Sequence, residues 1–277
     1  MSDRTLPLWL RLILLGTAAT QIVFGLTLLF NPSAVSTLWP WTLTPVTARL
    51  LGASSLVSIP LSVLSAIGNR YSSARIPLIM SLIYRIFQIV AGLIGLSRFD
   101  FSQPITWNYF GGGTVMLFVF AYAWLRGPHL GRPVESLARW QSGGLSLGRG
   151  VRMAMRLIAL VYFSLGLAML VLGPGADVLW FEAAGKLTPL TARLFSGTLI
   201  GLSVGLWLVT RARAWSEAVV PAAAFLTIGV ASSVALLLDW GSVAPSTPLG
   251  YVPASAPLVL ALIGVYLLLF GRRASQE

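Results

Sequence analysis

Eight apolar runs dominate this chain, at about residues 8–30, 46–67, 76–97, 108–125, 153–172, 189–210, 217–238 and 253–270. Each is close to the ~20 residues an α-helix needs to cross the hydrocarbon core of a bilayer. Hydrophobic residues make up 56% of the 277 positions and charged residues only 10%, too few to coat a water-facing globule. The expectation is an all-α integral membrane protein with eight transmembrane helices.

The net charge of +11 would point to nucleic acid in a soluble domain, so the placement of the charges decides. If the runs alternate across the membrane, fourteen arginines share one side. Arg4 and Arg11 precede the first run, Arg70 and Arg75 follow the second, Arg211 and Arg213 follow the sixth, and Arg272 and Arg273 follow the last. Arg126, Arg132, Arg139, Arg149, Arg152 and Arg156 fill or flank the connection between the fourth and fifth runs. The opposite side keeps Arg98 and Lys186 with Asp100, Asp177, Glu182 and Asp239. This positive-inside bias predicts a multi-pass protein of the cytoplasmic (inner) membrane with both termini cytoplasmic, bathed in membrane lipids and without a nucleic-acid partner. The first run resembles a signal peptide in following Arg4 and Arg11. It continues to Phe30, however, and a similar run beginning RLIALVYFSLG recurs at 156, so it is expected to stay.

LTPVTARLLGA at 43–53 returns 144 positions later as LTPLTARLFSG at 187–197, and Pro77 matches Pro221 at the same spacing. Upstream, RLIL at 11 parallels RLIA at 156, and GLTLLFNP at 25 parallels GLAMLVLGP at 166 with one gap. An echo at a period carrying four runs reads as two parallel pseudo-repeats of four helices. The expected units are residues 1–126 and 151–277, joined by a cytoplasmic linker at 127–150.

Thr44-Pro45 and Thr188-Pro189 have the form of helix starts, with Thr at the N-cap and Pro at the first helical position. One turn later come Arg49 and Arg193, placed where the helix dipole disfavours a cation. Three readings stay open for them: snorkelling or bonding a neighbouring helix's carbonyls, pairing with a carboxylate such as Asp239, or binding an anion between the halves. After Arg193 the glycines Gly197, Gly201 and Gly205 line one helix face, on which another helix can approach closely. The matching stripe Arg49, Ala53, Val57 and Leu61 is bulkier and interrupted by Pro60.

The third run carries Ser81, Arg85 and Gln88 on one side, with Tyr84 adjoining, and puts Arg85 near mid-membrane. At that depth an ionisable group is a functional candidate by default. The position 144 further on is Gly229, so Arg85 is not required by the repeated fold. The structural alternative has it bonding carbonyls near Pro60 or hydroxyls of adjacent spans. Gln21 and Tyr162 are possible members of an Arg85 network, and Gly111-Gly112-Gly113 forms either a flexible helix entry or an irregular, ligand-hugging backbone. The candidate ligand-binding set is thus Arg85, Gln88, Ser81, Tyr84, Arg49 and Arg193.

The chain has no cysteine and one histidine, His129, which leaves no ligand set for zinc, haem or an iron-sulfur cluster. No metal, no cofactor and no catalytic activity is expected. The uncharged, aromatic loop 31–45 either lies on the outer surface or folds back over the bundle, and Trp9, Trp39, Trp41, Trp107, Trp180 and Trp240 are placed at the head-group layer.

A first span ending at Asn31-Pro32, the Trp39 to Trp41 loop, then Leu-Thr-Pro-x-Thr-Ala-Arg-Leu at 43–50 resembles the DoxX-like four-helix membrane proteins. Gly173-Pro174, Trp180 and residues 187–194 repeat the pattern. The resemblance implies a duplicated four-helix unit. The expected role is binding or transport of a small amphiphile or anion between the two halves. The alternative is a non-catalytic accessory subunit that recruits a membrane-protein partner.

Overall fold

The computed structural model describes residues 3–36, 39–134, 143–172, 188–243 and 251–273. Asp177, Glu182, Lys186, Trp180, Gly173-Pro174, Leu187 and Arg139 lie outside the described residues.

The described chain is almost wholly helical. Its helices are α1 (Leu8–Phe30), the short α2 (Pro32–Ser36), α3 (Pro45–Leu56), α4 (Ser58–Gly68), α5 (Tyr71–Ile94), α6 (Pro104–Trp107) and α7 (Gly113–Arg126). They continue as α8 (Arg149–Leu172), α9 (Pro189–Val209), α10 (Trp215–Leu238), α11 (Trp240–Val243) and α12 (Tyr251–Phe270). The small ladder of β1 (Gly144–Leu145) with β2 (Arg272–Arg273) is antiparallel.

Among the described residues six helices are long and apolar enough to cross a membrane: α1, α3 continued by α4, α5, α8, α9 and α10. This corrects the expectation of eight crossings in two units of four. The run at 108–125 is divided, because Asn108–Gly112 forms a π-helical turn between α6 and a 14-residue α7. At 1.5 Å per residue α7 spans about 21 Å, short of a ~30 Å core. In the last run the described apolar helix is the shorter Ser255–Phe270. The fold is nevertheless that of a multi-pass, mostly helical membrane protein, and its outward surface carries apolar side chains such as Leu12, Val23, Leu157 and Leu262.

The helix starts form as their sequence requires. Thr44 accepts a hydrogen bond from the Thr47 amide (3.3 Å) while the Thr47 hydroxyl accepts from the Thr44 amide (2.9 Å), a reciprocal capping box. Thr188 accepts from the Thr191 amide in the same way (3.3 Å). Thr44→Ala is expected to cost about 1 kcal/mol, read as a lower melting temperature in detergent, whereas the exposed Thr42→Ala leaves it unchanged. The α3/α4 interruption at Val57 has a local cause. Pro60 offers no amide to the Leu56 carbonyl and its ring crowds that group.

Like contacts recur along the chain, with Gly52, Leu56, Ala66 and Tyr71 on one side and, 144 positions on, Ser196, Ile200, Thr210 and Trp215 on the other. A Cβ built on Gly25 of α1 would meet Leu56 and Gly52, and one on Gly166 of α8 would meet Ile200 and Ser196. Arg11 donates to the Ala66 carbonyl (2.9 Å) and Arg156 to the Thr210 hydroxyl (3.1 Å). The Tyr71 amide bonds the Arg4 carbonyl as the Trp215 amide bonds that of Gly143. Helix α5 packs on α9, and α10 on α3 and α4. The glycine stripe of α9 has the role expected of it: α5 lies against it, with Phe87 facing Gly197 and Met80 facing Gly201 and Gly205.

The arginine-rich segments gather at one end. There Thr5 bonds Arg132, Asp3 accepts from Ser72 (Oγ, 2.6 Å), and Leu145 bonds Arg213. At the other end Trp41 folds into the bundle. It is buried, and its indole donates to the Thr191 hydroxyl (3.0 Å). Residues 39–45 therefore return over the helices, and Trp41 is packed among them, unlike the exposed Trp9, Trp107 and Trp240. Edge-on rings from Phe99 and Tyr109 complete this aromatic end.

Candidate functional site

The six candidate residues divide into three groups. Arg49 is occupied structurally: its Nε donates to the Leu29 carbonyl at the end of α1 (3.2 Å), and its Nη1 forms an ion pair with Asp239 after α10. Two of the open readings, carbonyl bonding and carboxylate pairing, thus both describe it. The Arg193 guanidinium has no hydrogen bond or ion pair to another described residue, although its carbonyl accepts from the Ser196 hydroxyl (2.6 Å), and residues 173–187 before it are outside the description. It stands apart from the remaining four.

Arg85, Gln88, Ser81 and Tyr84 share one stretch of α5. Arg85 Nη1 donates to Gln88 Oε1 (2.5 Å), and its guanidinium lies 5.6 Å from the centre of the Tyr84 ring. Gln88 is fixed in turn, donating through Nε2 to the Tyr109 carbonyl (3.3 Å) while the Tyr109 hydroxyl donates to the Gln88 carbonyl (2.6 Å). Pro60 carbonyls and neighbouring hydroxyls, the structural partners expected for Arg85, are replaced by a carboxamide. No carboxylate touches it among the described residues.

This group borders a cavity of about 770 Å³ between α1, α5 and the α6–α7 segment, within the size range of small-molecule sites. Tyr84, Arg85 and Gln88 form one wall, Thr17 and Gln21 of α1 another, and Asn108, Tyr109, Gly112 and Gly113 a third. The glycines accordingly supply irregular, close backbone: a Cβ on Gly113 would sit 3.1 Å from Gln88 Nε2. Ser81 lies on the far side of Arg85, in a water-sized void of about 40 Å³ rich in hydroxyls such as Ser54, Ser58 and Thr198. Among the described residues Leu194 is the one lining residue of the large cavity beyond position 116.

Gly229, 144 positions after Arg85, has different surroundings. A Cβ at Gly229 would lie 2.4 Å from the Ala261 amide nitrogen, because α12 closes directly onto α10. In the first half α7 begins only after the π-helical turn, and Arg85 faces open space instead.

Sequence reasoning named Arg85, Gln88 and Tyr84 but missed Asn108, Tyr109 and Trp39. Gln21 lines the cavity with Arg85, whereas Tyr162 is elsewhere, donating to the Ala256 carbonyl (2.7 Å). Outside the spans, hydrogen bonds from the Ser102 hydroxyl and amide hold the Asp100 carboxyl below the usual carboxylate range, so it stays an anion at the aromatic end. Among the described residues no cluster of His, Cys, Asp and Glu could hold a metal ion.

Fold and site together define a multi-pass, mostly helical membrane protein with a cation-bearing cavity. No family model matches the sequence, and neither does any curated protein or solved structure.

Proposed function

We propose that this chain is a multi-pass protein of the cytoplasmic membrane, both ends facing the cytoplasm, that holds a small amphiphilic or anionic molecule at Arg85. One observation carries the reading: a guanidinium within an apolar helix, bonded to a carboxamide rather than a carboxylate, on the wall of a 770 Å³ cavity. Burying that charge in a membrane costs about 2.5–3.5 kcal/mol. Gln88 and Tyr84 supply dipoles but no counter-charge, and an anionic ligand supplies one. The orientation rests on the one-sided arginines, which crowd the end where residues 3–5, 70–72 and 132–134 are joined.

Like contacts at positions about 139 to 145 apart support an internal repeat, and the Leu-Thr-Pro-x-Thr-Ala-Arg-Leu blocks support kinship with DoxX-like proteins. With one histidine and no cysteine, the role we assign is binding or transport rather than catalysis. A second reading, favoured by the engagement of Arg49 with Asp239 and Leu29, is a non-catalytic accessory subunit whose arginines fix helices and whose outer faces recruit a membrane protein.

Mass spectrometry of the protein purified in native lipid separates the two. A charge-assisted contact is worth about 1.5–3 kcal/mol, so a ligand retained by the native chain should fall at least about tenfold in Arg85→Ala while the melting temperature holds. An unchanged profile in Arg85→Ala supports the accessory reading.

A further inference from the structure

The chemistry of the cavity wall is more specific than one cation. Gln21 and Asn108 line it, and neither side-chain amide has a hydrogen-bond partner among the described residues. Trp39 also lines it, with an indole N–H that is buried and has no acceptor among the described residues. A buried donor of this kind normally finds a partner. Among the described residues no carboxylate lines the cavity, and Arg85 is the one formal charge on its wall. The wall also carries the hydroxyls of Thr17, Thr20 and Ser55 and the Gln103 carboxamide, and its apolar part includes Ile13, Phe24, Leu28, Leu51, Met116 and Leu194.

The cavity also has low side walls. A side chain added at Gly16 of α1 or at Gly111 of the π-helical turn would meet nothing within 4 Å, and both residues are exposed. Toward the arginine-rich end α1 and α7 do approach, with the Trp9 and Tyr122 rings 6.1 Å apart and Leu14 and Phe120 in a common core. The opening is therefore lateral, onto the space that lipid occupies.

We infer that the cavity takes an amphiphile whose head carries a single negative charge beside hydroxyl groups, entering from the bilayer between α1 and the α6–α7 segment. This rests on the reading of Arg85 as a ligand-holding group. One guanidinium matches one negative charge. A carboxamide both donates and accepts, as a hydroxyl does, so Gln21 and Asn108 complement a diol better than a bare phosphate, which only accepts. The apolar part of the wall receives the chain.

Two lipids of equal charge test this directly: phosphatidylglycerol and phosphatidylmethanol, of which only the first carries a diol. Titrated into the delipidated full chain and read by native mass spectrometry, phosphatidylglycerol is expected to bind about tenfold more tightly, the value of one or two hydrogen bonds. Gln21→Leu with Asn108→Leu should bring that ratio to near one, while Arg85→Gln weakens both lipids by the same factor. Gly16→Leu, placed where the added side chain meets open space, keeps the fold and should slow uptake of phosphatidylglycerol severalfold. Glycerol 3-phosphate at millimolar concentration should not displace the lipid. Equal binding of the two lipids, both still weakened by Arg85→Gln, overturns the hydroxyl-bearing head and leaves the Arg85 reading standing. Lipid binding indifferent to Arg85→Gln overturns that reading itself. Displacement by glycerol 3-phosphate, or uptake unaffected by Gly16→Leu, overturns the route from the bilayer.

Discussion

Gly229→Ala is expected to be strongly destabilising, because it drives a methyl group into the backbone of a neighbouring helix. The new Cβ would lie 2.4 Å from the Ala261 nitrogen and 2.6 Å from the Pro257 carbonyl oxygen, so it meets backbone that no rotamer change can move. Helix α12 must then leave α10. Overpacking that side chains can absorb costs about 1–3 kcal/mol, and a clash with a helix backbone belongs at or above the top of that range. Gly16→Ala, with nothing within 4 Å of the added methyl, is the matched control and should stay within about 0.5 kcal/mol of the native chain. Thermal unfolding in detergent, followed by gel filtration, reads both. A Gly229→Ala protein melting with the native one would show that α10 and α12 do not meet as described.

The ion pair between Arg49 and Asp239 should give the second large effect. It joins α3 of the first half to the end of α10 in the second, and its side chains are only 17% and 13% exposed. Removing one partner leaves the other charge largely dehydrated, so Asp239→Ala is expected to cost about 2–4 kcal/mol, discounted from the fully buried case for the remaining exposure. Arg49→Leu with Asp239→Leu should recover most of the loss, since an apolar pair of similar size leaves no orphaned charge. A double-mutant cycle on the melting free energies checks this, with a coupling above about 1 kcal/mol expected. Additive single losses would mean that the two residues act separately.

These expectations show which features hydropathy and spacing carry. The six long spans are legible because length and apolarity suffice to define them. The two Thr-Pro starts and the glycine stripe at 197, 201 and 205 are legible because capping and close helix approach depend on local residue type. The division of the fourth run is different in kind. Gly111, Gly112 and Gly113 are compatible with a continuous helix in hydropathy, and the π-helical turn becomes apparent only when Tyr109 and Gln88 are seen bonded to one another. Trp41 was misplaced for a similar reason: its acceptor, Thr191, lies 150 residues away. The site follows the same rule. Arg85 stands out as a charge in an apolar run and as a departure from the repeat at Gly229, whereas Asn108 and Trp39 join it only because the turn and the returning loop bring them to the same cavity.

The cavity beside Arg85 measures about 770 Å³, whereas around Leu260, where α12 closes onto α10, only about 90 Å³ remains, too little for a bulky reagent. Because the native chain contains no cysteine, a single introduced thiol reports on each space without background. Met116 lines the cavity, and the residue 144 positions on, Leu260, is 4% exposed. With a bulky lipid-soluble maleimide, Met116→Cys is predicted to label rapidly and to be protected when native lipid is restored, while Leu260→Cys stays unlabelled. Equal labelling of the two thiols, or a Met116→Cys that resists the reagent in delipidated protein, would contradict the account.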